Sequence, residues 1–160
     1  MLSSLKNKPL WALAVLAAVL AFPAAGGAAG RTASENSLLK EINRVRATHG
    51  LRALRYDSRL ARAARAHTRD MARGGYFAHG DFAPRMVRFH VRGPFVGENL
   101  AWGTGPYGTA RGVVEAWLRS PPHRRNLLRP GFRRVGLGEL TASFEGVGGA
   151  NVVTADFAGY

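Results

Sequence analysis

Gly97-Glu98-Asn99-Leu100-Ala101-Trp102-Gly103 sets one carboxylate and one carboxamide between a glycine and an apolar run. Glu and Asn are poor core residues unless they are paired. A glycine beside them lets the backbone turn sharply or come close to a neighbour. Glu98 is therefore expected where the chain leaves the core and meets a partner. The partners that the sequence offers are His79 upstream and His123 downstream.

Working outward from this stretch, the chain before it reads as helical. Leu38, Leu39, Ile42 and Val45 recur as the apolar stripe of a helix capped by Asn36 or Ser37, running to about Thr48 and ended by Gly50. Asp57 or Ser58 caps a second helix, with Leu60, Ala64, His67 and Met71 on one face and Gly74-Gly75 as its stop. His67 on that face reads as a core-edge imidazole with a hydrogen-bond partner rather than a ligand. His49 falls in a last helical turn, where the dipole favours a cation. Pro84 to Phe89 is a short helix candidate, and His90 has no acidic neighbour in sequence.

Beyond the stretch, Thr109 caps a helix from Ala110 to about Arg119, with Val113, Val114 and Trp117 on one side and Glu115 on the other. Pro121-Pro122 is expected to end it, because the residue before a proline avoids the α region. That leaves His123 on an exit loop. Val135 to Leu140 and Asn151 to Phe157 read as strands, and Thr141 to Ala150 as the loop or hairpin connection between them. Helices first, then helix and strands, suggests an α+β domain with helices packed on an antiparallel sheet.

The chain has 160 residues, 23 of them Lys or Arg against 10 Asp or Glu, and no cysteine. The length suits one domain with a core large enough to dispense with disulfides. The missing thiols exclude cysteine nucleophiles, redox chemistry and thiolate zinc sites. Residues 1–30 read as a secretory signal and short linker. Lys6 and Lys8 are followed by an uncharged apolar run from Leu10 to Phe22 and small residues up to Gly30. The run is short of the ~20 residues of a membrane span; a retained anchor is the alternative, with no clean A-x-A cleavage site in view. Lys6 and Lys8 are the charged residues of 1–30, so residues 31–160 keep 21 basic against 10 acidic side chains. Such a charge suits an anionic envelope or an acidic polymer. The basic residues are dispersed rather than blocked and no nucleic-acid fold motif accompanies them, so nucleic acid is not an expected partner.

Three segments in order carry a family likeness: Phe77-Ala78-His79, Gly97-Glu98-Asn99-Leu100-Ala101, and Trp117-Leu118-Arg119-Ser120-Pro121-Pro122-His123-Arg124-Arg125-Asn126, followed by Val135-Gly136-Leu137-Gly138. Together they closely resemble the CAP superfamily, also called the SCP or pathogenesis-related-1-like domain, in its cysteine-free bacterial secreted branch. The likeness covers roughly Leu38 to Phe157, within a domain taken as residues 31–160. It implies an α-β-α sandwich with an open central cleft, lined by two His and two acids that bind zinc in some members. Carried over, His79, Glu98 and His123 match three of those positions and are the candidate metal ligands. The family's second acid follows the helix Trp by a few residues. Here Ser120 stands at that place, and Glu115, the nearest acid, precedes Trp117.

Two imidazoles and a carboxylate could hold zinc with an open position for water, and such a site could activate that water. Without metal, Glu98 and a protonated His form a bonded pair that braces loops. A triad built on Ser120 and His123 lacks the glycine pattern of a nucleophile elbow. Asn99 reads as a turn fastener or site support. Trp102 and Tyr107 read either as an aromatic wall for a sugar or lipid or as packing. The leading expectation is a secreted or periplasmic, non-catalytic CAP-domain protein that binds an envelope lipid or anionic wall polymer. The alternatives are a metal-dependent hydrolase of peptide or cell-wall material and an adhesive or assembly module.

Overall fold

The structure, a computed structural model, describes residues 30–160. The expected signal sequence lies outside the described residues. The first helix, α1 (Ala33–Thr48), starts earlier than the cap at Asn36 or Ser37 expected from sequence. Thr32 is the true cap: its hydroxyl accepts from Glu35 N at 3.1 Å, and the Glu35 carboxylate accepts from Thr32 N at 2.9 Å. This reciprocal capping box satisfies two backbone donors that would otherwise be open. Glu35 is buried and also holds Arg65 of the next helix, which ties the start of α1 to the body of the fold.

A two-residue strand, β1 (Arg55–Tyr56), follows α1. The second helix, α2 (Ser58–Gly74), is capped by Asp57, whose carboxylate accepts from Arg59 N and Leu60 N, and ends at Gly75 in the left-handed region. Then come α3 (Phe82–Arg88), β2 (Val96–Gly103), a 3-10 turn over Gly105–Gly108, α4 (Ala110–Arg119) and α5 (Pro121–Leu127). The prolines do not send the chain into an exit loop. They sit at the first two positions of α5, where no N–H is needed and the fixed φ suits a helix. His123 is therefore helical.

The last two strands, β3 (Arg134–Phe144) and β4 (Val147–Ala158), are longer than expected. The residues read as a connection, Thr141 to Ala150, belong mostly to the ladder, because Glu145 and Gly146 alone make the turn. Both have positive φ, 50° and 77°, the tight hairpin geometry that matches strand twist. The sheet runs β1-β3-β4-β2, antiparallel except for the short parallel pairing of β1 with β3.

Alternation along the strands separates two helical layers. Val135, Leu137, Val153, Ala155 and Phe157 pack with α1, α4 and Phe132 in the main core. The opposite face carries Gly136, Gly138, Thr154 and Asp156 and is covered by α2. A Cβ on Gly136 would lie 2.0 Å from the backbone of Leu60 and Ala61, and one on Gly138 2.6 Å from Arg65 N. The glycines of Val135-Gly136-Leu137-Gly138 thus let an alanine-rich helix lie directly on β3. The result is the expected α-β-α sandwich.

Candidate functional site

The stretch Gly97 to Gly103 is part of β2, at one edge of the sheet. Edge strands present unpaired backbone groups, and here side chains of the neighbouring helices take them. Asn126 Nδ2 of α5 donates to Glu98 O at 3.0 Å, and Trp117 Nε1 of α4 donates to Leu100 O at 2.8 Å. Gly97 is what admits Asn126: a Cβ there would stand 3.0 Å from Asn126 Oδ1 and 2.9 Å from the Phe132 ring. Asn126 also donates to Asn99 Oδ1 at 2.9 Å, and Asn99 Nδ2 donates to His123 O at 3.0 Å. Asn99 therefore supports the site by fastening α5 to β2.

Glu98 and Asn99 are neighbours on a strand and point to opposite faces. On its face Glu98 is nearly sealed, with 2% of its side chain exposed, whereas His79 beside it is 57% exposed. His79 Nδ1–H donates to Glu98 Oε1 at 2.7 Å. The other oxygen, Oε2, accepts from Arg85 of α3. Arg85 also donates to His79 O at 3.2 Å, so one arginine holds the carboxylate and the loop that carries the histidine. Both carboxylate oxygens are thus taken by charge-assisted bonds, and the His79 Nε2 is turned away from them.

Behind Glu98 lies a group that motif reading did not single out. Asp156 of β4 is directly opposite Glu98 in the ladder and completely buried. Among the described residues neither of its oxygens has a hydrogen-bond partner. Burial, and then the Glu98 charge beside it, push its pKa well above the usual carboxylate range; Arg85 opposes this and loses. Burial beside a second carboxylate thus favours the protonated form of Asp156 over the charged one. The available signal was a lone acid inside the β-branched run Asn151 to Phe157. Arg85 gave no comparable signal, since its role depends on α3 folding back over β2.

His123 is half-buried, with Nδ1 2.9 Å from Ser120 Oγ. Burial pushes its pKa down, and the charge of His79 adds to this. Ser120 is the residue that caps α5, and its hydroxyl orients the ring one turn on. Glu115 is elsewhere: it pairs with Arg111 at 2.8 Å on the outer face of α4. His67 is buried, and its Nε2–H donates to Ala78 O at 2.9 Å; desolvation pushes its pKa down, as suits a neutral core imidazole. Trp102 packs edge-on against Phe144 and stays partly exposed, while Tyr107 is largely exposed. A concavity of about 530 Å³ lies between α2 and α3, reaching Arg85 and bounded by His67, Tyr76 and Arg88.

The candidate zinc ligands His79, Glu98 and His123 meet a specific obstacle in this arrangement. Among the described residues no three His, Cys, Asp or Glu side chains converge as a metal set. Glu98 already has a fixed cation, Arg85, on one oxygen and an N–H on the other. As arranged, the donors suit an ion-paired brace and not a three-ligand zinc centre.

A family model described as CAP, the cysteine-rich secretory protein family, matches residues 39–157. In Bacillus subtilis strain 168, the "uncharacterized membrane protein YlbC" is 34% identical over 113 residues, covering 68% of this chain and 32% of that protein. The "uncharacterized protein YkwD" of the same organism is 35% identical over 112 residues, covering 67% and 42%. Among solved structures, an extracellular protein containing an SCP domain from Bacillus anthracis is 27% identical with a TM-score of 0.63, covering 82% of this chain and 45% of that one. An outer surface protein from Borrelia burgdorferi, 23% identical, has a TM-score of 0.65 over 79% of this chain and 93% of its own, a likeness of fold. The match spans under half the length of both Bacillus subtilis relatives.

Proposed function

This chain belongs to the CAP family, and from that premise we propose that it is a non-catalytic binding protein of the cell envelope, exported by its N-terminal segment. Its ligand, an envelope lipid or an anionic wall polymer, is taken at the stretch of β2 that His79 and His123 both contact. The observation that carries this reading is the state of Glu98. Its charge is matched by Arg85 and its second oxygen by His79, while burial raises the pKa of its neighbour Asp156. The exposed group left to meet a ligand is an imidazole, in a chain with a large excess of arginine. An anionic or hydrogen-bond-accepting ligand suits such a surface better than a cation does.

The test is retention of purified envelope fractions by the wild type and by His79→Ala and His123→Ala. Salt-sensitive or lipid-competed retention, weakened about tenfold in both variants, is the expected result. No retention, or equal retention by all three proteins, would overturn the reading. The hydrolase alternative requires Arg85 to release Glu98, and zinc titration of the purified protein at neutral pH decides it. Stoichiometric uptake that His79→Ala abolishes would favour the hydrolase.

A further inference from the structure

Arginines that look dispersed along the sequence gather on one face. From Ala116 to Gly138 the chain carries six arginines and neither Asp nor Glu. Arg134 is paired with Asp57. Among the described residues no carboxylate lies within 4.0 Å of Arg119, Arg124, Arg125, Arg129 or Arg133. Arg124, Arg125 and Arg129 are exposed, and with Asn126, Leu128 and Pro130 they bound a concavity of about 530 Å³.

The turn beneath them has its acceptors engaged from within. Arg46 of α1 is wholly buried and has no carboxylate partner; it donates to Leu127 O at 2.6 Å, Arg129 O at 3.3 Å and Phe132 O at 3.3 Å. Leu128 N and Arg129 N take Arg124 O and Asn126 O, and Arg133 takes Pro130 O. The carbonyls that could have satisfied the outer guanidiniums are thus used, and a buried cation stands behind them. Arg129 is also set in place, its guanidinium 4.2 Å from the centre of the Phe95 ring and 5.2 Å from that of Phe132. One planar donor fork is therefore positioned before any ligand arrives, with no acid nearby to compete for it.

We propose that this concavity is a phosphate-binding site, in which Arg124, Arg125 and Arg129 hold a phosphate group while the ligand's apolar remainder lies on Leu128 and Pro130. Guanidinium matches phosphate oxygens bidentately, and several arginines without acids around them favour a phosphate group, with oxygens for more than one fork, over a carboxylate. The site is separate from the imidazoles at β2 and does not depend on their reading. A phospholipid headgroup and a free phosphate compound share the chemistry.

The experiment measures two probes at about 0.15 M salt, where diffuse attraction is largely screened. Inorganic diphosphate is titrated by calorimetry. Phosphatidylcholine vesicles, with and without phosphatidylglycerol, are tested by co-sedimentation. The protein is compared with R124Q/R125Q/R129Q and with R62Q/R69Q/R73Q, which removes the same charge from exposed positions of α2. Binding to phosphatidylglycerol vesicles or to diphosphate should fall at least about tenfold in the first variant and stay within about twofold in the second. Vesicle binding that diphosphate does not displace identifies a lipid headgroup; diphosphate binding identifies a free phosphate compound. Because Arg129 stacks on aromatic rings, R124Q/R125Q repeats the test with that stack intact if the triple variant fails to fold. Equal losses in the two triple variants, or no binding of either probe, overturn the proposal. Diphosphate titration of the two triple variants reports on this concavity, and envelope retention by the His79 and His123 variants reports on β2, so failure of one reading is distinguishable from failure of the other.

Discussion

Glu98 is sealed beneath an exposed histidine and neutralised by an arginine of α3. Removing one member of a buried ion pair leaves the other desolvated, at a cost of about 3 kcal/mol. Glu98→Gln should therefore lower stability by roughly that amount in denaturant unfolding, and a change near zero would show that Arg85 finds another acceptor. Asp156 has the opposite sign. Its folded pKa is raised above the ordinary 3.8, so the native state keeps a proton that the unfolded chain has released. Stability then falls as pH rises from 3.8 towards the folded pKa, and the loss persists at neutral pH. Asp156→Asn keeps the shape and the donor without the titration. It should melt higher than the wild type at pH 7, with the advantage shrinking below about pH 4; a lower melting temperature at pH 7 would contradict a raised Asp156 pKa. Arg85→Ala frees one Glu98 oxygen and removes a cation, so zinc affinity should rise over the wild type. Unchanged affinity in a zinc titration would mean that Arg85 is not what keeps metal away.

At the scale of elements, the contact of α2 with β3 is the least tolerant of change. Gly136→Ala places a methyl 2.0 Å from helix backbone, which cannot rotate away. The helix has to lift from the sheet, and a loss of about 3 kcal/mol or more is expected in denaturant unfolding. Gly148→Ala is the control: it is in β4, has open space around its Cβ and should stay within about 0.5 kcal/mol. Equal effects at the two positions would show that α2 is not held against Gly136. The same contact matters to the site, because α2 covers the sheet face on which Asp156 lies and Glu98 is clamped.

For the molecule as a whole, residues 31–160 carry about two basic side chains for each acid, and most of the basic ones are guanidiniums that cannot be neutralised. Self-repulsion of that kind weakens the compact state and is relieved by salt. The melting temperature should rise as sodium chloride is added up to about 0.2 M, over roughly the range in which the Debye length contracts to 10 Å and below. A flat or falling response would mean that the excess charge is already spread far enough apart to be harmless.

Periodicity alone carried the helices, because a buried stripe at 3.6-residue spacing needs no knowledge of what covers it. Leu38 to Val45, Leu60 to Met71 and Val113 to Trp117 are legible in this way. The motif order from Phe77 to Gly138 carried the family and the sandwich, and the pairing of His79 with Glu98 followed from the poor fit of a carboxylate in a core. Other features were settled by tertiary structure. Pro121-Pro122 reads equally as a helix stop or a helix start, and only the docking of Asn126 on Gly97 selects the start. Arg85 and Asp156 reach Glu98 through a helix that folds back and a strand that pairs across the ladder, separations of 13 and 58 residues that leave no local trace. The buried Arg46 likewise has meaning only through carbonyls more than 80 residues away. Local pattern reports which face of an element is buried; it does not report which charges that burial brings together, and that is what decides the chemistry of the site.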